Sequence, residues 1–167
     1  KDPTDPSFQF GNLYDSLPAR SYQFRLKAYG AHFFRLAQRS TLKWSVQGGW
    51  FQSPFTFRNE LFQIGGYKLL RGFDEESIYA SHYGVTTLEF RYLMNTNSYF
   101  FGFVDAGWAS NHALSGNPSK RYAGAGLGFT LQTTGGVFTI SLAAGKRNDL
   151  AYNIRQTKVH LGYISYF

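Results

Sequence analysis

The chain has 167 residues, enough for one domain, and its lack of cysteine excludes disulfide frameworks and thiolate metal sites. Its 17 Phe, 12 Tyr and 18 Gly are typical of strands, tight turns and a membrane interface. The net charge of +7 comes from scattered basic residues that form no run, which argues against a nucleic-acid partner. No apolar stretch reaches the roughly 18 residues of a membrane helix. The chain begins at Lys1 and shows no signal peptide, so we expect a processed or excised piece.

Alternating apolar and polar residues predict antiparallel strands along most of the chain, and no apolar pattern keeps a helical period for long. Near the start, Tyr22, Phe24 and Leu26 lie on one face of a strand pattern, whereas Arg25 and Lys27 lie on the other. A shorter and weaker pattern precedes it. In chain order, the eight predicted strands span residues 8–13, 20–36, 41–51, 81–94, 98–109, 121–132, 136–146 and 155–167.

A sheet with one apolar and one polar face fits two architectures. In a soluble sandwich or barrel the apolar face points inward, whereas in an outer-membrane barrel it points outward to lipid. From the second strand onward, short and long connections alternate, as they do between the periplasmic turns and extracellular loops of membrane barrels. Most of the predicted strands have about 10 residues or more, enough to cross a bilayer when tilted. We therefore predict an all-β fold, an antiparallel transmembrane β-barrel with about eight strands, in one domain over residues 1–167.

The longest predicted connection, residues 53–80, carries an arginine in an unusual setting. A glycine pair precedes the arginine, and a glycine and an aromatic ring follow it: Gly65, Gly66, Arg71, Gly72 and Phe73. The next two strands carry Glu89 and Asp105 on their polar faces. Because a carboxylate facing lipid is unfavourable near the membrane midplane, both should point inward. Taken alone, the arginine also fits a surface turn in which it packs on the aromatic ring.

The ordered combination of Gly-Gly, Leu-Arg-Gly-Phe, a strand glutamate and a strand Asp-Ala-Gly resembles a known family over nearly the whole chain. It is similar to the C-terminal barrel half of the outer-membrane assembly-factor superfamily of the BamA/TamA type, also called the bacterial surface antigen domain. The resemblance implies that the long loop folds back into the lumen and that its arginine meets acidic residues on the two following strands. The predicted loop-to-barrel lock comprises Arg71, Gly72, Phe73, Glu89 and Asp105.

Glycines in the loop and in a later strand are predicted to accommodate the inserted loop. In the strand after the one that carries Asp105, three glycines lie on the polar face, where missing side chains leave room. Such glycines also serve strand twist and curvature, and the two interpretations are compatible. The residues assigned to loop accommodation are Gly65, Gly66, Gly124, Gly126 and Gly128.

The end of the chain matches the family less closely. Family barrels end in a strand whose alternating apolar residues and terminal aromatic are read as an insertion signal, and Gly162, Tyr163 and Phe167 fit that pattern. Ser165 stands where a second hydrophobic residue is expected. The family barrel has sixteen strands after soluble periplasmic repeats, and this chain has room for the last eight. It is therefore either the C-terminal half of a larger barrel or a small barrel that stands alone or forms a homodimer.

No pattern in the sequence indicates catalysis or a cofactor. The four histidines (His32, His82, His112 and His160) are dispersed without metal-ligand spacing. The acidic run Asp74–Ser77 lacks the ligand spacing of a calcium loop. Neither a nucleophile elbow nor a paired-carboxylate pattern is present. We predict a protein that is not an enzyme and has no metal site.

The resemblance implies a place in the bacterial outer membrane, with lipids and client outer-membrane or secreted proteins as partners. The implied role is the insertion or translocation of those clients without energy input, through a weak seam between the first and last strands. Two alternatives stay open. One is a stand-alone small outer-membrane barrel with a structural or binding role, and the other is a soluble barrel that binds an apolar ligand.

Overall fold

The computed structural model describes residues 22–54, 56–112, 119–149 and 157–165. The predicted strand at residues 8–13 lies outside them. Within the described ranges, no helix is long and apolar enough to span a membrane. A 3-10 turn at Arg58–Glu60 accompanies the strands β1 (Phe24–Ala37), β2 (Ser40–Gln52), β3 (Phe62–Ile64), β4 (Ile78–Ala80), β5 (His82–Leu93), β6 (Tyr99–Ser110), β7 (Ser119–Thr133), β8 (Gly136–Arg147) and β9 (Lys158–Ser165).

Seven of these strands form one antiparallel sheet in the order β1-β2-β5-β6-β7-β8-β9. The two short strands β3 and β4 pair only with each other and form a ribbon within the connection between β2 and β5. The sheet is not closed within the described part of the chain, where β1 and β9 are its edges. The prediction of an all-β antiparallel fold is confirmed, and the long connection contains regular structure that the sequence did not indicate.

The register of the ladder places the carboxylate of Asp105 beside small residues. Asp105 of β6 pairs with Thr87 of β5 on one side and with Gly124 of β7 on the other. Gly124 pairs in turn with Gly145 of β8. Because directly paired residues point to the same face of a sheet, one row across three strands carries a carboxylate followed by two positions without side chains.

The outer face of the sheet is apolar and exposed. Cross-strand neighbours form continuous rows, such as Trp44, Leu88 and Val104 on β2, β5 and β6. Exposed apolar patches of this extent are rare on soluble proteins, and a lipid-facing barrel wall requires them. The side chains that are at least 44% exposed on this face include Trp44, Val46, Leu88, Phe90, Phe100, Val104, Leu127, Leu142, Val159 and Leu161.

The connection between β2 and β5 covers part of the opposite, inner face, whereas the residues of β1 stay exposed on both faces. Its apolar residues, together with those of the neighbouring strands, form the main core: Phe51, Leu61, Phe62, Ile64, Leu70, Ile78, Ala80, Tyr83, Val85, Ala109 and Tyr122. Leu70 is completely buried, although it belongs to a loop. The core therefore lies between the sheet and a segment that folds back over it, and this arrangement carries Arg71 to the inner wall.

An arginine on the outer face should destabilise the fold in proportion to its depth in the membrane. Leu88 lies in the middle of β5 and points outward, whereas Met94 follows the end of the same strand on the same face. We expect Leu88→Arg to lower the free energy of unfolding by about 2–4 kcal/mol and Met94→Arg by about 1 kcal/mol or less. Urea unfolding in lipid vesicles measures both values. Equal effects of the two changes would contradict a lipid-facing wall.

Candidate functional site

The backbone on both sides of Arg71 has a conformation that fixes where the arginine points. Leu70 and Gly72 have φ angles of 62° and 94°, in the left-handed region. The side chain of Leu70 is buried against Gly107, where an added Cβ would lie 2.5 Å from a Leu70 methyl. A Cβ at Gly72 would lie 2.6 Å from the backbone of β8, so only glycine allows this close approach.

The guanidinium of Arg71 joins the two carboxylates. Its Nη2 donates to Oδ1 of Asp105 at 2.9 Å, and its Nε donates to Oδ2 at 3.1 Å, which gives a bidentate pair. Its Nη1 donates to Oε2 of Glu89 at 2.6 Å. The backbone N–H of Arg71 adds a further bond of 2.9 Å to Asp105. The arginine is therefore attached to β5 and β6 through both its side chain and its backbone.

Further contacts complete the hydrogen bonding of the two carboxylates and the packing of the Arg71 guanidinium. Thr87 donates its hydroxyl to Asp105 at 2.8 Å, and Arg91 donates to the second oxygen of Glu89 at 2.8 Å. The guanidinium carbon of Arg71 lies 3.4 Å from the centroid of the Phe103 ring, in a cation–π contact. With Asp105 completely buried and Glu89 5% exposed, the charges are withdrawn from water but fully paired.

The electrostatic balance favours the charged arginine. Burial by itself would lower the pKa of Arg71, but the hydrogen bonds and negative charge of Asp105, followed by those of Glu89, outweigh it and raise the pKa. Arg71 therefore stays charged at any physiological pH. Removing one partner of such an enclosed ion pair typically costs about 3–5 kcal/mol, because the other charge is left buried and unpaired.

The predicted glycines have different neighbours. A Cβ at Gly124 would overlap the carbonyl oxygen of Arg71, so Gly124 lies directly under the loop backbone. At Gly126 and Gly128 the atoms nearest to an added Cβ belong to the backbone of β8 and to the rings of Phe103 and Phe101. Gly145, which was not among the predicted residues, also lies under the loop, since a Cβ there would be 2.5 Å from the carbonyl oxygen of Gly72. The alternation of β8 already places Gly145 on the inner face, and the register then pairs it with Gly124.

The glycine pair of the loop, unlike Gly72, shapes the loop itself. Gly65 and Gly66 have φ angles of 108° and 106°, which side chains rarely adopt. A Cβ at Gly65 would lie 2.7 Å from the carbonyl oxygen of Asp74, and one at Gly66 would overlap the carboxylate of Glu75. That carboxylate accepts the backbone N–H of Tyr67 at 2.9 Å, closing the turn.

The loop also reaches the last strand, a connection that the sequence did not indicate. The N–H of Gly72 donates to Nε2 of His160 on β9 at 3.2 Å, in a buried setting. Lys158 forms an ion pair of 2.7 Å with Asp74. Gly162 lies under the ring of Tyr67, where a Cβ would be 2.8 Å from the ring. The loop therefore bridges the middle of the sheet and its edge.

The remaining predicted residues lie apart from the ion pairs. Phe73 packs edge-on against Tyr122 with ring centroids 5.4 Å apart, so it is not the partner of Arg71 that a surface turn would need. Tyr163 is exposed on the outer face and donates its hydroxyl to the carbonyl of Gly135 at 2.8 Å. Phe167 lies outside the described residues, and the insertion signal at the chain end stays a prediction.

The histidines are less dispersed than the sequence suggests. His82 and His112 lie side by side, with their Nδ1 atoms 2.9 Å apart, because the β5–β6 ladder pairs His82 with Ser110. Their separation along the chain hid this proximity. Across the ranges that the structure describes, no three His, Cys, Asp or Glu side chains form a metal-binding group.

A family model described as the Omp85 superfamily domain matches residues 7–163. The chain belongs to the Omp85 superfamily. Members of this superfamily are non-enzymatic assembly and translocation factors associated with bacterial outer membranes. A comparison with curated protein sequences gave no match. For this Omp85 chain, the family thus gives the barrel class and a coarse role.

Removing the arginine should destabilise the fold much more than removing a neighbouring lysine. We expect Arg71→Ala to lower the free energy of unfolding by about 3–5 kcal/mol. The free energy of unfolding of Arg71→Lys should lie between those of Arg71→Ala and the wild type, since an ammonium cannot pair bidentately with a carboxylate. Lys68→Ala, on the exposed side of the same loop, should change it by about 0.5 kcal/mol or less. Urea unfolding in detergent micelles gives these values, and indistinguishable midpoints for Arg71→Ala and Lys68→Ala would contradict the inferred role.

The space under the loop can be tested independently of charge. Gly124→Ala should displace the loop backbone and cost about 1–3 kcal/mol through overpacking. Gly84→Ala is the matched control, because a Cβ there meets no atom within 4 Å. Limited proteolysis within residues 56–80, together with urea unfolding, reports both effects. Wild-type protease resistance in Gly124→Ala would show that the loop does not depend on this contact.

Proposed function

We propose that this chain forms the membrane-embedded part of a protein that inserts or translocates other proteins at the bacterial outer membrane. Its membership of the Omp85 superfamily supports this role at the coarse level. The observation that carries the proposal is the double attachment of the inner loop, to Glu89 and Asp105 in mid-sheet and to His160 at the edge strand. A loop held in this way couples the interior of the barrel to the strand at which a seam would open.

In this proposal, Arg71 and its carboxylate partners act as a lock, together with Gly72 and Phe73. The same short segment continues into the contacts with β9, since Gly72 binds His160 and Asp74 pairs with Lys158. A loop released from Glu89 and Asp105 would therefore also lose its hold on β9. The lock therefore sets the position of the edge strand β9. Client insertion depends on this position, because the seam opens at β9.

The edge of β9 offers a template for an incoming strand. Within the described residues, β9 pairs with β8 along Lys158–Ser165 and with no strand on its other side. An open edge presents unpaired N–H and C=O groups, which favour the addition of another strand. Lipid offers these groups no alternative partners, so pairing is favoured further at membrane depth. Client outer-membrane or secreted proteins are the proposed partners, and lipids contact the outer face.

Client folding into vesicles tests the proposal. The native full-length polypeptide is reconstituted into liposomes, and an unfolded small outer-membrane barrel is added as the client. We expect the reconstituted protein to accelerate the appearance of protease-resistant client over empty liposomes. Arg71→Ala and His160→Ala should lose most of this acceleration, assayed at a temperature at which each variant keeps its β-sheet circular dichroism.

Matched variants separate the lock from general destabilisation. His160→Gln restores an acceptor for the Gly72 N–H, so it should recover activity that His160→Ala lacks. Lys68→Ala and Gly84→Ala should behave as wild type. No acceleration by the wild-type protein would reject the proposed function and leave a stand-alone small barrel, single or homodimeric, with a structural or binding role.

A further inference from the structure

A second group of polar side chains lies at the end of the sheet opposite the β5–β6 turn. Ser81 connects β4 to β5, His82 begins β5, and His112 follows β6. Three of their atoms approach one another closely. The Oγ of Ser81 lies 3.1 Å from Nδ1 of His82 and 2.8 Å from Nδ1 of His112, and the two Nδ1 atoms are 2.9 Å apart.

When both imidazoles carry their proton on Nε2, the Nδ1 atoms of His82 and His112 and the Ser81 hydroxyl oxygen each have a lone pair to offer a ligand. The Ser81 hydroxyl donates to the carbonyl of Ser110 at 3.1 Å and accepts the backbone N–H of His112 at 3.0 Å. Since a hydroxyl has one hydrogen and two lone pairs, one lone pair remains. A single imidazole N–H can point at one acceptor only, yet all three separations have the length of full hydrogen bonds. A cation in contact with all three atoms satisfies them together.

The dimensions fit a transition-metal ion. Bonds of about 2.1 Å to a metal imply ligand–ligand separations of about 3.0 Å along the edge of an octahedron and about 3.4 Å along the edge of the tetrahedron that is usual for structural zinc. The observed separations of 2.8, 2.9 and 3.1 Å match one face of that octahedron. Imidazole nitrogen suits zinc, copper and nickel, whereas calcium and magnesium prefer oxygen ligands.

The surroundings leave space for the remaining ligands. A cleft borders the three residues and is also lined by Trp50, Gln52, Thr56 and Trp108. Ser81 and His82 are buried, whereas His112 is exposed and opens the site to solvent. No further His, Cys, Asp or Glu joins the group within the described parts of the chain, so water would complete the coordination.

We propose that Ser81, His82 and His112 form a binding site for a six-coordinate divalent transition-metal ion. Zinc, which has no d-electron preference for one geometry, serves as the test ion. The ion is bound by the two Nδ1 atoms and the hydroxyl oxygen. It ties the segment that follows β6 to the point where the inner loop re-enters the sheet. The site is separate from the Arg71 ion pairs and does not depend on the proposed function.

Zinc titration of the full chain tests the site. Protein in detergent micelles is freed of metal with a chelator and titrated calorimetrically with Zn²⁺ alone. We expect one ion per chain. Even the loss of an outer-shell partner typically weakens metal affinity 10–100-fold, so His112→Ala, which removes a direct ligand, should weaken it by at least about tenfold.

His32→Ala is the matched control, since His32 is exposed on β1 and takes no part in the group. It should bind zinc as wild type does. Zinc should also raise the thermal unfolding temperature of the wild type and of His32→Ala, but not that of His112→Ala, because a ligand stabilises only a fold that binds it. His112 lies at a strand end, and its replacement is checked for wild-type urea unfolding without metal. Equal zinc affinity in His112→Ala and wild type, or no binding by the wild type, would overturn the proposal.

Discussion

The fold of this chain depends on the neutralisation of two carboxylates that face the inside of the sheet. Asp105 is completely buried and Glu89 nearly so. A buried, unpaired carboxylate costs several kcal/mol, and neither strand carries its own full set of partners. Arg71 supplies the main counter-charge to both, and Thr87 and Arg91 complete the set. Because Arg71 lies on the connection between β2 and β5, that connection must fold back over the sheet.

Packing on both sides of Arg71 also favours the position of the loop over the sheet. Leu70 occupies the core immediately before the arginine, and Gly72 approaches the backbone of β8 immediately after it. Gly124 and Gly145 offer no side chains that would prevent this approach. The ion pairs and the missing side chains thus select one loop position. An arginine in the same sequence setting without this row of small residues could not reach Asp105 with its backbone N–H.

The same loop links regions that are distant in the sheet. At one point it holds β5 and β6 through Arg71, and a few residues later it holds β9 through His160 and Lys158. At its end, Ser81 connects it to the histidine pair at the sheet end. The outer face plays no part in these contacts and stays apolar, as lipid requires. The inner faces of the strands therefore hold the loop through polar contacts, and the outer faces of the same strands contact lipid.

The strands, their faces and the pairing of Arg71 with Glu89 and Asp105 could be predicted from the sequence. Alternation with a period of two assigns each strand residue to a face, and a carboxylate on the polar face of a membrane strand has to find a cation. The family resemblance pointed to the arginine that supplies it. These features are local in the sequence or are tied to a motif, so no knowledge of the register was needed.

Only the tertiary structure decided which strand neighbours lie under the loop and what the loop binds beyond its motif. Gly124 lies under Arg71, whereas Gly126 and Gly128 lie under aromatic rings, a distinction that depends on register and not on residue type. The contact between Gly72 and His160 joins residues 88 positions apart. The meeting of His82 with His112 follows from the pairing of β5 with β6. Such contacts are set by how strands align and where a loop backbone passes, and alternation along one strand carries no information about either.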